Sequence, residues 1–122
     1  MTTASRQRAE RSGRHAELLC IWLLRLKGYR ILARRFRVPS GEIDLIARRG
    51  RVVVAIEVKA RAALDIAADS ILAQQRRRIA RAFDHFLARR PDLAQLDRRF
   101  DVVMIAPGRW PRHVTNAWQS DF

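Results

Sequence analysis

Polar and apolar residues alternate along two short segments in the first half of the chain. The segments are 41–46, Gly-Glu-Ile-Asp-Leu-Ile, and 55–59, Ala-Ile-Glu-Val-Lys. A period of two is typical of a half-buried strand. Gly50-Arg51 lies between them, and a Gly-X pair favours a two-residue hairpin turn. The pattern therefore predicts an antiparallel hairpin that turns at Gly50.

The register of this hairpin brings charged side chains together. A turn at Gly50 places Asp44 opposite Glu57. It also places Glu42 opposite Lys59. Like charges that face each other destabilise a sheet, so we expect a cation between the two facing carboxylates. The alternative is an exposed hairpin face with a salt bridge between Glu42 and Lys59, which leaves the facing carboxylates unexplained.

Residues 13–27 repeat apolar side chains with the helical period and predict a helix. Its apolar residues form two stripes, so more than one side of the helix must be packed. Glu17 lies on the stripe that contains Cys20, Ile21 and Leu24. A carboxylate on an apolar face requires a partner. A first-turn glutamate that complements the helix dipole is equally compatible with this position.

The remaining segments complete an order of helices and strands. Residues 29–38 predict an arginine-rich strand, and 51–61 the long second strand of the hairpin. A helix is predicted from the loop at 65–68 to about Arg90, and residues 100–106 predict a central strand buried on both faces. The C-terminal tryptophan-rich segment is compatible with an edge strand or a short helix. The order αβββαβ predicts an α/β sandwich with a central mixed sheet flanked by helices.

Composition and charge narrow the class of protein. The 122 residues are 48% hydrophobic, which predicts one domain over residues 13–122 behind a basic flexible tail at 1–12. Lys and Arg number 25 against 12 Asp and Glu, a net charge of +13, so nucleic acid, most simply DNA, is the expected partner. A single cysteine excludes a disulfide scaffold and a cysteine-rich zinc site. The apolar run at 18–24 is too short to span a bilayer, and we expect a cytoplasmic protein with no membrane partner.

Arginines cover much of the second predicted helix. They are Arg76, Arg77, Arg78 and Arg81, with Arg89 and Arg90 at its end. A charge run of this kind is usually a solvated face, and the alternative is a surface that contacts phosphates. Because no glutamate compensates these charges, we expect them to bind nucleic acid together with Arg61, which follows the hairpin.

The hairpin also carries a candidate catalytic set. Asp44 and Glu57, with Glu17 brought in from the first helix, offer oxygen ligands only, which suit Mg²⁺ or Mn²⁺. Such a cation polarises a phosphoryl oxygen and lowers the pKa of an attacking water. Lys59 shares a face with Glu57 and is expected to orient or deprotonate that water, or to stabilise developing negative charge.

Three segments resemble the YraN-type family of small bacterial proteins. They are Gly41-Glu42-Ile43-Asp44-Leu45-Ile46, Glu57-Val58-Lys59-Ala60-Arg61 and Arg99-Phe100-Asp101-Val102-Val103. The resemblance covers about residues 13–118. Those proteins look like PD-(D/E)xK nucleases, with archaeal Holliday-junction resolvases as nearest relatives. The resemblance therefore implies a restriction-endonuclease-like fold.

The same resemblance implies roles for individual residues. Asp44, Glu57 and Glu17 would be metal ligands, and Lys59 would be the catalytic lysine. Gln75 falls near the position where the family usually has a helix lysine. As a polar residue on an apolar helix face, it either hydrogen-bonds within the core or points into the site.

The sequence thus favours a Mg²⁺-dependent DNA endonuclease that hydrolyses phosphodiesters, with branched or junction DNA as a candidate substrate. A homodimer is expected by analogy with the resembling nucleases alone. Two rival hypotheses remain. One is a nucleic-acid-binding module with a nuclease-like fold and no significant turnover, and the other is a basic scaffold protein with a structural hairpin.

Overall fold

The computed structural model describes residues 3–60 and 73–119, and their side chains from residue 14 onwards. Within these residues, two helices, five strands and one short 3₁₀ turn follow one another. They are α1 (Thr3–Leu26), β1 (Arg30–Val38), β2 (Gly41–Arg49), β3 (Val52–Ala60), α2 (Ala73–Ala88), the 3₁₀ turn (Pro91–Leu93), β4 (Asp97–Ile105) and β5 (Arg112–Trp118). The predicted helix, three-strand meander, helix and strand are all present, and the C-terminal segment forms the edge strand.

Helix α1 begins at Thr3, well before the start near Gly13 that apolar periodicity predicts. Periodicity marks only the part of a helix that packs against something, whereas alanine, arginine, glutamine and glutamate favour helix without any packing. The start predicted for the second helix lies outside the described residues. Within residues 3–60 and 73–119, neither helix has the length and apolar composition that a bilayer crossing requires.

The five strands form one sheet in the order β1-β2-β3-β4-β5. β1, β2 and β3 are antiparallel neighbours, β3 and β4 are parallel, and β5 pairs antiparallel with β4. The parallel pair requires a crossover, and α2 lies within that connection. The result is the predicted mixed sheet flanked by helices, which is compatible with a restriction-endonuclease-like fold.

A separate apolar core lies on each face of the sheet. On one face α1 contributes Cys20, Ile21 and Leu24, which pack on Leu45, Val54, Ile56 and Val103. On the other face α2 contributes Ile79, Ala82, Phe83 and Phe86, which pack on Ile46, Val53, Ala55 and Val102. Cys20 is fully buried, as expected for a small core residue.

Helix α2 approaches the beginning of β2 closely. A Cβ atom on Gly41 would collide with the backbone carbonyl group of Arg78. The helix backbone therefore rests directly on the strand at this point, because only glycine leaves the necessary space.

The hairpin between β2 and β3 turns at Gly50, whose φ of +59° suits glycine. Arg49 pairs with Val52, which confirms the register predicted from the turn. The pairing ends at Leu45 and Ile56, whereas β3 continues beside β4 as far as Ala60. The two hairpin strands therefore separate before Leu45 on β2 and after Ile56 on β3. Asp44, Glu57 and Lys59 lie at this separation.

Candidate functional site

Asp44 lies in the opening between β2 and β3. The backbone N–H of Val58 donates a hydrogen bond of 2.9 Å to its Oδ2. This N–H would otherwise be left unpaired on the β2 side, because the ladder between the strands has already ended. The carboxylate of Asp44 is thereby held beside the second half of β3.

Glu57 and Lys59 project from β3 at this point. Their side chains are only 12% and 14% exposed, and Lys59 Nζ lies 3.6 Å from Glu57 Oε1. The nitrogen Nε2 of Gln75, on α2, donates a hydrogen bond of 3.1 Å to the same oxygen. Of the two expectations for Gln75, the structure supports the one in which it points into the site.

The carboxyl groups of Asp44 and Glu57 lie close enough for each to shift the pKa of the other. Burial, and then the charge of Asp44, raise the pKa of Glu57 to about 8, against a smaller lowering by Lys59. Burial also raises the pKa of Asp44, while the Val58 N–H opposes this rise. Two partly buried carboxyl groups that lie close together cannot both ionise freely, so the pair retains a proton at neutral pH or attracts a cation. The predicted facing pair is therefore present, although it lies just beyond the last paired residues of the ladder.

Glu17 is placed differently from the predicted third ligand. It is buried, with its Oε1 3.1 Å from Nε of Arg34 and its Oε2 2.9 Å from Nε of Arg35. Among the described residues, no three or more His, Cys, Asp or Glu side chains are grouped to hold a metal ion. The structure brings Asp44 and Glu57 together, whereas both oxygens of Glu17 accept hydrogen bonds from arginines, and a metal ligand at Glu17 stays a prediction.

Glu42 also departs from its predicted partner. It lies 3.4 Å from Nε of Arg37 on β1, and both side chains are exposed. The predicted pairing of Glu42 with Lys59 is wrong, because the strands separate before this position and Lys59 is directed to Glu57 instead.

The arginines expected to bind nucleic acid occupy different environments. Arg77, Arg78 and Arg81 are exposed on α2. Arg76 is half-buried, with its guanidinium carbon 5.8 Å from the ring centre of Trp118. It therefore packs partly against the sheet edge. Arg61 lies outside the described residues.

A cleft of about 180 Å³ opens beside Asp44 on the α1 side of the sheet. Glu17 and Arg35 line it, together with Val58 and Ala60. A second depression, lined by Arg14, Glu17, Leu18, Arg34 and Arg35, adjoins it. A larger and mainly apolar cavity of about 640 Å³ lies between α1 and residues 105–111, away from Glu57 and Lys59. Of this cavity and the smaller cleft, only the cleft includes Asp44, and neither Glu57 nor Lys59 is among the described residues that line either space.

Comparison with known proteins identifies the family of this chain. A model of the family described as "Uncharacterised protein family UPF0102" matches residues 16–105. The chain belongs to the UPF0102 family. This confirms the YraN-type resemblance at the level of the family.

Individual UPF0102 proteins match over nearly the whole chain. One from Parvibaculum lavamentivorans is 56% identical over 91% of this chain and 84% of its own length. One from a Chelativorans species is 54% identical over 93% of this chain and 92% of its own. A third, from Mesorhizobium japonicum, is 53% identical over 95% of this chain and 93% of its own.

The UPF0102 match includes Asp101, whose setting the sequence does not reveal. Its buried carboxylate accepts hydrogen bonds of 2.8 and 2.7 Å from Arg99, 2.7 Å from His113 Nε2, and 2.9 Å from the backbone N–H of Asn116. Lys27 Nζ lies 2.7 Å from Nδ1 of His113 and donates to it, which leaves Nε2–H to donate to Asp101. The available signal is a carboxylate within the apolar run 100–106 with Arg99 two residues before it, because a buried charge requires partners.

Proposed function

We propose that the protein is a Mg²⁺-dependent DNA endonuclease. The observation that carries this proposal is the partly buried pair of Asp44 and Glu57, which lie close together and next to Lys59. Membership of the UPF0102 family implies no activity by itself, so the proposed activity rests on the site.

Asp44 and Glu57 are the residues that would hold the cation. Mg²⁺ is usually bound by one or two carboxylates, with water and substrate phosphate completing its shell, so a pair suffices without Glu17. The fit rests on the donor set, since both groups offer carboxylate oxygens, the ligands that Mg²⁺ prefers. Burial is the main cause of the raised pKa of each group, and a bound cation would favour the ionised form of both. When bound, the ion would polarise the phosphoryl oxygen and lower the pKa of the attacking water.

The protein's own groups would position the reactants. Lys59 is nearly buried beside Glu57, so its ammonium group reaches the place where negative charge develops on the phosphate. Gln75, on α2, donates a hydrogen bond to Oε1 of Glu57 and would fix the orientation of that carboxylate. The Val58 N–H does the same for Asp44.

DNA is the proposed substrate because of charge. A net charge of +13 attracts a polyanion over long distances, and phosphate neutralisation supplies most sequence-independent affinity. The exposed arginines of α2 extend this positive surface beyond the cleft.

Cleavage assays on duplex, single-stranded and four-way-junction DNA, with Mg²⁺ or Mn²⁺ and with EDTA, test the proposal. We expect metal-dependent cleavage by the native protein, loss of cleavage in Asp44→Asn and Lys59→Met, and unchanged cleavage in Asp84→Asn. Asp84 is an exposed carboxylate on α2 that pairs with Arg98, so it is a matched control.

Two results contradict parts of the proposal. Cleavage that survives Asp44→Asn places the active site elsewhere. Salt-sensitive DNA binding with no metal-dependent cleavage, on any of the three substrates, identifies a nucleic-acid-binding module instead.

A further inference from the structure

We propose that Arg34 and Arg35 form a phosphate clamp at the mouth of the Asp44 cleft, and that Glu17 positions this clamp rather than binding the metal. This deepens the proposed function and depends on it, because the clamp is meant to hold the DNA backbone next to the cleavage site.

The contacts of Glu17 support a positioning role. Arg34 Nε and Arg35 Nε lie 3.1 and 2.9 Å from different oxygens of its carboxylate. Glu17 itself is 6% exposed, whereas the side chains of Arg34 and Arg35 are 55% and 46% exposed. The anchor is thus buried and the two guanidinium groups face solvent.

The backbone is arranged so that both arginines point the same way. Neighbouring residues of a strand normally project to opposite faces. Here Arg35 has φ of +50°, a left-handed conformation that costs a residue with a side chain of order 1 kcal/mol or more. This departure from the strand lets adjacent side chains reach one carboxylate on α1.

The clamp and Asp44 line neighbouring spaces. Glu17 and Arg35 line both the cleft that contains Asp44 and the depression that contains Arg14 and Arg34. A DNA strand with one phosphate at Asp44 would therefore have its neighbouring backbone along the arginines.

The remaining donors suit a phosphate. Each guanidinium uses Nε for Glu17, and its two Nη groups carry four further N–H donors in a planar fork. Such a fork binds phosphate oxygens bidentately. Because Glu17 already fixes the two side chains, less conformational entropy is lost when a phosphate binds.

The charges also favour an anion. One carboxylate is offset by two arginines, and Arg14 adds a third exposed positive charge beside them. The depression is therefore positive despite the buried Glu17.

DNA binding measured in EDTA tests the clamp without any metal ion. Fluorescence anisotropy of a labelled duplex would give the affinity over a series of salt concentrations for the native protein, Arg34→Ala, Arg35→Ala, Glu17→Gln and Arg25→Ala. Arg25 is an exposed arginine of α1 outside the cleft, and its replacement makes the same change in charge.

We expect Arg34→Ala and Arg35→Ala each to reduce the slope of log affinity against log salt by about 0.9, the value for one lost phosphate contact. Arg25→Ala should leave the slope unchanged. Glu17→Gln should weaken binding although it removes a negative charge, because the arginines lose their anchor. If Glu17 acted only through its charge, the same variant would bind DNA more tightly.

The outcomes separate the clamp from the endonuclease. Unchanged slopes in both arginine variants, beside salt-sensitive binding by the native protein, overturn the clamp and leave the proposed activity standing. Native protein that does not bind DNA at all overturns the proposed function itself. Each arginine variant retains one bond to Glu17, so circular dichroism should show it folded, and these two variants decide the matter if Glu17→Gln does not fold.

Discussion

Oδ2 of Asp44 takes the place of a strand carbonyl as the acceptor for the backbone N–H of Val58, at 2.9 Å. A side chain thus performs a task of the sheet at the point where β2 and β3 separate. The same carboxylate interacts with Glu57. Different substitutions can therefore separate its structural role as a hydrogen-bond acceptor from its chemical role in the carboxylate pair.

Replacing Asp44 by alanine or asparagine should affect stability in opposite directions. Alanine leaves the Val58 N–H without an acceptor and should lower the free energy of unfolding by about 1–3 kcal/mol. Asparagine retains an acceptor oxygen and removes a charge that repels Glu57, so at alkaline pH it should be at least as stable as the native protein. Urea denaturation of both variants measures the difference. Equal losses in the two variants would mean that the hydrogen bond contributes little.

Stability should fall as pH rises through the range in which Glu57 ionises. The folded state raises the pKa of Glu57 from 4.5 to about 8, so it favours the protonated form. The contribution of Glu57 to the free energy of unfolding is complete below its ordinary pKa of 4.5. It is lost as pH rises past the folded-state pKa of about 8. The free energy of unfolding, measured in urea at about pH 5 to 9, should therefore decline more in the native protein than in Glu57→Gln.

Mg²⁺ should oppose this decline. A cation that binds the ionised pair stabilises the folded state in proportion to the logarithm of its concentration over its Kd. We expect Mg²⁺ to raise the melting temperature more at about pH 9 than at about pH 6, where protons compete for the same oxygens. An equal rise in Asp44→Asn would show that the ion binds somewhere else.

Gln75 should control the metal site through Glu57. Gln75→Ala removes the donor that holds Oε1 of Glu57, and loss of such a supporting partner typically costs about 10–100-fold in metal affinity or activity. The neighbouring Gln74, which is exposed, provides the control substitution Gln74→Ala. Titration of Mg²⁺ against cleavage rate measures both variants, and equal Mg²⁺ requirements in the two would remove Gln75 from the site.

Asp101 should matter for stability rather than for cleavage. Burial raises its pKa, but hydrogen bonds from His113 and Arg99 outweigh burial and leave the pKa below its ordinary value. Asp101→Asn breaks this buried ion pair and should cost about 3 kcal/mol of unfolding free energy. Since the folded pKa is lowered, the contribution of Asp101 is present above the ordinary value of 3.8 and disappears as pH falls below it.

Thermal denaturation of Asp101→Asn measures the loss of stability, and acid denaturation of the native protein measures its pH dependence. Asp84→Asn, at an exposed ion pair, should change stability by less than about 1 kcal/mol. A native-like melting temperature for Asp101→Asn would contradict the assigned importance of the buried network.

The parts of the site that depend on local sequence could be predicted. The turn at Gly50 and the period of two fix the register from Arg49–Val52 onwards, because both are properties of a few adjacent residues. They bring Asp44 and Glu57 together correctly. They fail for Glu42 and Lys59, because β3 follows its parallel partner β4 beyond Ile56, and that partner is distant in the chain.

The setting of Glu17 could not be predicted. Alternation along β1 places Arg34 and Arg35 on opposite faces, and only the left-handed backbone of Arg35 brings both to Glu17. A positive φ at an arginine has no sequence signal comparable to glycine in a turn. The need of Glu17 for a partner was predictable, since its face of α1 is apolar, but the identity of that partner was not.

Gly41 contributes to the site because it has no side chain. Because Gly41 has no Cβ atom, the backbone of α2 at Arg78 lies closer to β2 than any other residue at position 41 would allow. Gln75 lies one helical turn before that contact, so its reach to Glu57 is set by the same seating. A methyl group at position 41 would push α2 away from the sheet and alter the geometry of the candidate site without touching Asp44 or Glu57. The missing side chain of Gly41 thus sets the distance between helix and sheet on which the contact of Gln75 with Glu57 depends.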